Sequence, residues 1–96
     1  MANVNEVTWY VYLIKCGNGS LYTGMTTDVK RRFQEHKAHG ERTAKFLRGK
    51  HPLSLVYVVE VGSKGDALRL EHKVKRMSKS EKETMLTLNP NPIMLQ

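Results

Sequence analysis

Cysteine and long apolar segments are what this 96-residue sequence has least of. The single cysteine, Cys16, can neither close an internal disulfide nor build a zinc site alone. The longest apolar stretches, Tyr10–Ile14 and Leu55–Val59, are far too short to cross a bilayer. The N-terminal residues have no basic flank followed by an apolar run, so no secretory signal is expected. These absences predict a small cytoplasmic protein.

Acidic residues are also scarce, so the chain carries a large positive charge. Its 16 Lys and Arg outnumber nine Asp and Glu, which gives a formal net charge of +7. Residues 28–51 hold eight of the basic residues and residues 64–83 hold seven, whereas residues 1–27 are neutral. A basic surface attracts polyanions through Coulomb attraction and counterion release. The charge therefore favours a nucleic acid partner, although a protein that is basic only for solubility would look the same.

Three segments rich in β-branched and aromatic residues predict strands, at Val7–Cys16, Ser20–Gly24 and Leu53–Val61. The run Gly17-Asn18-Gly19 predicts a tight turn that makes the first two strands a hairpin, because glycine and asparagine tolerate positive φ. The third strand is apolar almost throughout. It is therefore expected to be central in the sheet or covered on both faces.

Polar cap residues predict three helices. The element order ββαβαα indicates an α+β fold, a small three-stranded antiparallel sheet flanked by helices. We expect residues 1–96 to form one such domain, with a core over about residues 7–88 and irregular tails at 1–6 and 89–96. The first expected helix begins at a cap among Thr26, Thr27 and Asp28 and runs to about Ala38, where Gly40 stops it. The second runs from about Lys64, capped by Ser63, to Met77, and the third runs from Ser78 or Ser80 to a point before Asn89. One further helical turn is expected near Thr43–Leu47.

Two tyrosines of the hairpin, Tyr12 and Tyr22, are the first candidates for chemistry. They project from the same face of the sheet if the hairpin register pairs residues whose numbers add to an even sum. Side by side, two phenols could position a water molecule or stack on bases. The alternative is that both are packing residues with a solvated hydroxyl.

The first helix adds Arg32 and His36, which lie four residues apart on one face beside Phe33. Arg32 shares the stripe of Phe33, unlike Lys30 and Arg31, and an arginine at a buried edge needs an anionic partner. That partner could be a phosphate or a glutamate. An unpaired histidine at a helix edge, by contrast, more often packs than reacts.

Glu71 occupies an unusual place for a carboxylate, because it shares the apolar stripe of Ala67 and Val74 on the second long helix. Such a position suggests either a bound cation or a buried partner such as Arg32. A magnesium-type ion held by one carboxylate and several waters would suit a site that cleaves phosphate esters.

Read in order, the runs Trp9–Tyr12, Leu21–Gly24 and Asp28–Phe33 resemble the GIY-YIG nuclease domain. The run Ala67–Glu71 adds the family's acidic position. The resemblance covers nearly the whole chain, about residues 7–88, and is closest to the short stand-alone bacterial members. Each triplet alone is a weak signal, but four matched positions in order on the predicted elements make a strong one.

Within this resemblance Tyr12 matches the last residue of the first triplet and Tyr22-Thr23-Gly24 matches the second. Arg32 matches the helix arginine of the family, and Glu71 matches its metal-binding glutamate. The chain departs from the pattern in three places. Its first triplet lacks the glycine, and Met25 stands where some members have a lysine. The asparagine near the end of some family domains has no definite match here, with Asn89 and Asn91 as the candidates.

The resemblance implies a metal-dependent endonuclease that hydrolyses DNA phosphodiesters in a structure- or repair-related role with weak sequence specificity. It implies that Tyr12 is the general base, that Tyr22 orients the water or contacts the phosphate, and that Arg32 neutralises charge. Glu71 would then hold Mg²⁺ or Mn²⁺, and His36 is the second candidate for the base. A phenol has a pKa of ~10, so nearby cations would have to lower it.

The basic segment Arg42–His51 is expected to supply most of the binding affinity for nucleic acid. This binding should be weak, salt-sensitive and largely independent of sequence. DNA is the expected partner, and RNA is the alternative. The chain is expected to be a monomer or weak dimer. A protein partner could supply specificity. The residues expected to contact nucleic acid are Gly24, Lys30, Arg31, Arg42, Lys45, Arg48 and Lys50.

Two other classes of function remain open on the sequence. A non-catalytic binding module would use the same surface and stack its tyrosines on bases. An accessory protein would recruit another nuclease through the helix Ser78–Leu88. The position of Glu71 favours the enzyme, because a carboxylate that faces a phosphate only repels it in a pure binder.

Overall fold

The computed structural model describes residues 7–38 and 44–88. It confirms the predicted α+β class and element order, and no helix within these residues is long and apolar enough to cross a membrane. The elements are β1 (Trp9–Lys15), β2 (Leu21–Thr26), α1 (Val29–Lys37), a 3₁₀ turn (Lys45–Leu47), β3 (Ser54–Gly62), α2 (Lys64–Lys75) and α3 (Lys79–Leu88).

The three strands form one antiparallel sheet in the order β2-β1-β3. Of the two alternatives for the third strand, the central position is wrong, because β1 lies in the middle and β3 lies at an edge, whereas partial cover on both faces agrees with the structure. The burial pattern gives the reason. Four consecutive residues of β1, Val11–Ile14, are buried, whereas Val56–Val59 of β3 are only half-buried on both faces. An apolar run can thus mark an edge strand that is partly covered on each side.

Side-chain caps fix where the helices begin. The Asp28 carboxylate accepts a hydrogen bond from the Arg31 amide at the start of α1, at 3.1 Å. The Ser63 hydroxyl does the same for Asp66 at the start of α2. Ser78, not Ser80, caps α3 through a reciprocal pair with Glu81, in which each backbone N–H donates to the other side chain.

Most predicted boundaries are within two residues of those observed, but one difference affects the site. The second strand was expected to end at Gly24, and it continues to Thr26, so Gly24 lies inside the strand. In α2 the last helical residue is Lys75, two residues before the expected Met77. The expected stop of the first helix at Gly40, the start of the expected turn at Thr43 and both tails lie outside the described residues.

Helices or turns cover both faces of the sheet. On one face Tyr12 and Ile14 of β1 belong to a buried cluster with Val29 and Phe33 of α1 and Leu47 of the 3₁₀ turn. Side chains alternate along a strand, so the buried neighbours in β1 face the other way. There α2 contacts all three strands and buries its own apolar stripe. The first face carries the candidates Tyr12, Tyr22, Arg32 and His36, whereas Glu71 belongs to α2.

Gly24 makes room for the Tyr12 side chain. The two residues are paired across β1 and β2, and a Cβ atom at position 24 would lie 2.5 Å from both Cζ and Oη of Tyr12. No side chain fits at that distance, so the phenol can lie flat over β2 only because residue 24 is glycine. Gly24 thereby helps to determine the position of the Tyr12 hydroxyl group.

We expect Gly24→Ala to lower the free energy of unfolding by about 1–3 kcal/mol, because the added methyl group must displace the Tyr12 ring from a packed face. Urea unfolding measures this loss. Gly65→Ala is the matched control, since a Cβ there meets only the Arg69 side chain at 3.7 Å and alanine favours the helix. Equal stabilities for the two variants would contradict this explanation of Gly24.

Candidate active site

The hairpin brings the two candidate tyrosines onto one face of the sheet. The register pairs Tyr12 with Gly24 and Ile14 with Tyr22, so the condition for the two tyrosines to share a face is met. The ring centroids of Tyr12 and Tyr22 lie 6.3 Å apart, with their planes tilted by 49°. The tyrosines are therefore neighbours, as chemistry shared between two phenols requires.

His36 completes a cluster with these two rings. It projects from α1, is fully buried and lies 6.1 Å from the Tyr12 ring and 5.6 Å from the Tyr22 ring, centroid to centroid. Its Nε2 atom is 3.0 Å from the Tyr12 hydroxyl oxygen. We call Tyr12, Tyr22 and His36 the tyrosine–histidine cluster. The sequence analysis ranked His36 below Arg32, and the structure places it in direct contact with Tyr12.

The second nitrogen of His36 decides which atom carries its proton. The backbone N–H of Ala44 donates to Nδ1 of His36, with a nitrogen–nitrogen distance of 3.3 Å. Since Nδ1 is an acceptor, the neutral ring carries its proton on Nε2, and that N–H donates to the Tyr12 oxygen. Burial, followed by the nearby Arg32 charge, lowers the pKa of His36 to about 4. His36 is therefore neutral near pH 7.

Arg32 is half-buried beside the cluster, as its position next to Phe33 predicted. Its side chain is 29% exposed, against 58% for Arg31. Of the two anionic partners left open by the sequence, the structure shows a carboxylate: Nη1 of Arg32 lies 3.0 Å from Oε1 of Glu35. The sequence analysis missed Glu35, although its spacing of three residues from Arg32 on a helix was a usable signal.

Glu71 belongs to α2, which packs on the other face of the sheet. Its side chain is only 12% exposed, and its carboxylate lies 3.8 Å from the ammonium group of Lys75. The Glu71 charge raises the pKa of both Tyr12 and Tyr22, which shows that the carboxylate acts electrostatically on the two phenols. The structure thus brings Arg32 and Glu71 to the tyrosines from two different helices.

Burial dominates the acidity of both tyrosines. It raises the pKa of Tyr12 strongly, and the neighbouring Tyr22 adds to the shift. The charge and hydrogen bond of Arg32 oppose this rise without cancelling it. Burial also raises the pKa of Tyr22, again against the Arg32 charge. Arg32 alone therefore does not bring the phenol pKa below its ordinary value, because desolvation outweighs the single arginine.

The oxygen chemistry of Glu71 fits a hard divalent cation. The described residues contain no group of three or more His, Cys, Asp or Glu side chains, as a zinc-type cage would require. Magnesium binds differently, often through one or two carboxylates together with waters and substrate phosphates. A half-buried carboxylate whose neighbouring ammonium is 3.8 Å away is compatible with that second mode.

The residues expected to contact nucleic acid are spread around this face. Lys30 and Arg31 are exposed on α1, Lys45 and Arg48 are exposed around the 3₁₀ turn, and Lys50 is half-buried. Arg42 lies outside the described residues. The expected contact of Gly24 stays a prediction, and in the structure this glycine is buried beneath the Tyr12 ring.

Sequence reasoning also missed an aromatic residue at the edge of the site. Phe46 lies in the 3₁₀ turn, is 43% exposed and has its ring centroid 5.8 Å from that of Tyr22. The Lys50 ammonium group lies 3.5 Å from the Phe46 centroid. An aromatic residue within a basic segment could have signalled this position.

Comparison with known proteins defines the class to which this fold and cluster belong. The family model described as the GIY-YIG catalytic domain matches residues 8–84. The chain therefore belongs to the GIY-YIG family, a nuclease family that acts on nucleic acid. This confirms the resemblance that was drawn from Tyr12, Tyr22–Gly24, Arg32 and Glu71.

Its relatives are short bacterial proteins. The chain is 48% identical over 89 residues to a UPF0213 protein of Vibrio cholerae, covering 90% of this chain and 86% of the relative. It is 42% identical over 90 residues to a UPF0213 protein of Yersinia enterocolitica, with 94% and 91% covered.

Two solution NMR structures share the fold. A UPF0213 protein from Bacillus halodurans has 39% identity and a TM-score of 0.58, with 93% of each chain covered. A protein from E. faecalis has 28% identity and a TM-score of 0.60, with 88% of each chain covered. The predicted fold class is thereby confirmed by solved structures as well as by the observed sheet.

The lowered pKa of His36 makes stability depend on pH in a defined direction. The unfolded chain takes up this proton near the ordinary pKa of ~6.5, whereas the folded chain resists it until about 4. The unfolded state therefore binds more protons in this window, and stability is lost as the pH falls through it, by up to ~1.4 kcal/mol per pH unit. Urea unfolding from pH 7 to pH 4.5 should show a steeper loss for the native chain than for His36→Gln.

Parallel stability curves for the two proteins would contradict this assignment. Nitrogen-detected NMR of the imidazole provides an independent measurement on the native chain. It should show a neutral ring protonated at Nε2 at pH 7, and no titration of His36 above about pH 5.

Proposed function

We propose that this protein is a metal-dependent endonuclease that hydrolyses phosphodiester bonds in DNA. The observation that carries the proposal is the convergence of two phenols, a guanidinium and a carboxylate from four separate elements. Arg32 and Glu71 both shift the pKa of Tyr12 and of Tyr22, with opposite signs. A positive group and a metal-compatible carboxylate around a pair of hydroxyls is an arrangement suited to phosphoryl chemistry.

Tyr12 is the proposed general base, acting through its hydroxyl oxygen after deprotonation. Two donors favour that form, the Nε2–H of His36 at 3.0 Å and the hydrogen bond from Arg32. Burial opposes it, and a cation held by Glu71 would add positive charge that favours the deprotonated phenol. In this role Tyr12 takes the proton of the attacking water and Tyr22, on the same face, orients that water.

His36 is better suited to positioning than to proton abstraction. Its Nδ1 atom already accepts the Ala44 N–H, and its Nε2 atom carries the proton that it donates to Tyr12. Neither nitrogen is available as a base without breaking a hydrogen bond. We therefore assign His36 to holding the Tyr12 oxygen in place, in preference to the alternative role of base.

Arg32 is proposed to neutralise the charge that grows on the phosphate oxygens. Its guanidinium has several donors in a fixed plane, so one can remain on Glu35 while others reach a phosphate. Pairing with Glu35 holds the arginine ready beside the tyrosines before substrate arrives. Removal of one such donor from a reaction site typically costs about 100-fold or more in rate.

Glu71 is the residue that would hold a divalent cation, Mg²⁺ or Mn²⁺. Bound there with waters and a substrate phosphate, the cation would supply Lewis-acid stabilisation of the leaving oxygen. The Lys75 ammonium group lies 3.8 Å from Oε1 of Glu71, near the outer limit for an ion pair, so this pairing is a weak competitor for a cation. The surrounding basic residues would bind the phosphate backbone with little dependence on sequence, which fits a structure- or repair-related role.

Cleavage of supercoiled plasmid and branched DNA with Mg²⁺ or Mn²⁺ tests the proposal. We expect Arg32→Ala and Glu71→Gln each to reduce the cleavage rate by about 100-fold or more, because one removes charge neutralisation and the other removes the cation ligand. Arg69→Ala and Glu83→Gln are the matched controls, since both residues are exposed on helices and lie outside the site. They should cleave like the native chain.

Cleavage that persists in both site variants would overturn the site assignment. Binding of DNA without any cleavage by the native chain would replace the enzyme with a non-catalytic binding module. Unfolding curves on the same samples confirm that each variant is folded.

The pH profile tests the role of Tyr12. Because its pKa is raised, only a small deprotonated fraction exists near pH 7, and that fraction grows about ten-fold per pH unit. The single-turnover rate of the native chain should therefore rise with pH between 7 and 9. Tyr12→Phe should be folded and inactive, and Tyr22→Phe should be slower but keep the upward slope. A Tyr12→Phe variant as active as the native chain would remove Tyr12 from the base role.

A further inference from the structure

A groove lies beside the tyrosine–histidine cluster, along the open edge of β2. Its volume is about 380 Å³, within the range of ~300–1,000 Å³ typical of sites for small organic groups. The groove opens directly next to the proposed base and phosphate site, because Tyr22 belongs to both. Its lining residues are Leu21, Tyr22, Thr23, Phe46, Lys75 and Lys82.

Phe46 is held at this groove by the residue next to it. Leu47 is fully buried in the core cluster, and it anchors the 3₁₀ turn so that Phe46 points outward. The Phe46 ring packs on Tyr22 with the centroids 5.8 Å apart and the planes tilted by 34°. Because 43% of its surface is exposed, the ring still presents area on which a flat ligand can stack.

The charged groups of the groove are all cationic. Lys75 and Lys82 line it, and Lys50 places its ammonium group over the Phe46 ring at 3.5 Å. An apolar aromatic floor with lysines around it matches a nucleobase and its flanking phosphates, which have a flat π-face and a negative backbone. A flexible lysine such as Lys50 can leave the ring and move to a phosphate when a base takes its place.

We propose that this groove holds one unstacked nucleobase on the Phe46 ring, and that the preferred substrate is a strand unpaired at or next to the cleaved bond. The proposal rests on the proposed function of the neighbouring site. A base inside a duplex is stacked on both faces and cannot reach a side groove, whereas a single strand or flap presents its bases freely. The same chemistry applies to DNA and RNA strands.

Binding without cleavage tests the groove separately from the catalytic proposal. A fluorescent oligonucleotide of mixed sequence is titrated in EDTA as a single strand and as a duplex, with anisotropy as the readout. The native chain should prefer the single strand. Phe46→Ala should lose about ten-fold in affinity for it, and change little for the duplex, because stacking on one aromatic ring is lost.

Three further variants separate stacking from simple apolar contact. Phe46→Trp should restore single-strand binding, whereas Phe46→Leu should resemble the alanine variant. Leu68→Ala is the control. Leu68 is 42% exposed and Phe46 is 43% exposed, but Leu68 does not line the groove. It should bind like the native chain.

Each outcome decides the proposal. Loss of affinity in Phe46→Ala that is equal for single strand and duplex, or full affinity in Phe46→Leu, would overturn it. DNA and RNA strands of one sequence are compared, and Phe46 dependence with either supports it. If binding depends on Phe46 but the native chain never cleaves, the proposed nuclease activity is refuted and the proposed base-binding groove stands. If the native chain cleaves but binding does not depend on Phe46, the nuclease activity stands and the groove proposal is refuted.

Discussion

The burial of one phenol in the central strand sets the geometry of everything around it. Tyr12 lies in β1 with 1% of its surface exposed. Its ring packs so closely over position 24 that only glycine fits there. A hydroxyl buried this far must find hydrogen-bond partners, since an unsatisfied one costs about 1–3 kcal/mol. His36 supplies one partner, and the need for it explains a histidine in the interior of a small domain.

That hydrogen bond links the sheet to a distant part of the chain. His36 can orient its Nε2–H toward Tyr12 only because Ala44 occupies Nδ1, and Ala44 directly precedes the 3₁₀ turn. The turn is in its place because Leu47 fills the core and the hairpin turn docks on the next residues, with the Gly17 amide donating to the Lys50 carbonyl at 2.7 Å. The hairpin, α1 and the basic segment are therefore coupled through a few local contacts.

The sequence predicted the elements and which side chains lie together on them, and it failed where packing decides. Tyr12, Tyr22, Arg32 and Glu71 could be selected because turn chemistry fixes the register and a helical stripe shows which charges lie on an apolar face. The edge position of β3 could not be inferred, because an apolar run describes local burial and says nothing about strand order.

The tautomer of His36 was out of reach, and the partner of Arg32 could only be narrowed. Asp28 and Glu35 both lie at helical spacing from Arg32, and choosing between them required the rotamers of α1. The acceptor role of Nδ1 depends on a backbone amide eight residues away, across a loop whose path no local pattern specifies. The raised pKa of Tyr12 also follows from three-dimensional burial, which outweighs the arginine that the sequence had placed beside it.

The composition of the core itself argues that this arrangement serves chemistry. Among the seven largest fully buried side chains are Tyr12 and His36, alongside five purely aliphatic ones. Phenylalanine and leucine would fill similar volume with no hydrogen bonds to satisfy, and replacing buried polar groups by apolar ones of similar shape is often neutral or stabilising. A domain this small has little stability to spare. A buried polar pair adjacent to a half-buried arginine and a half-buried glutamate therefore fits the reaction proposed above better than it fits a core selected for stability alone.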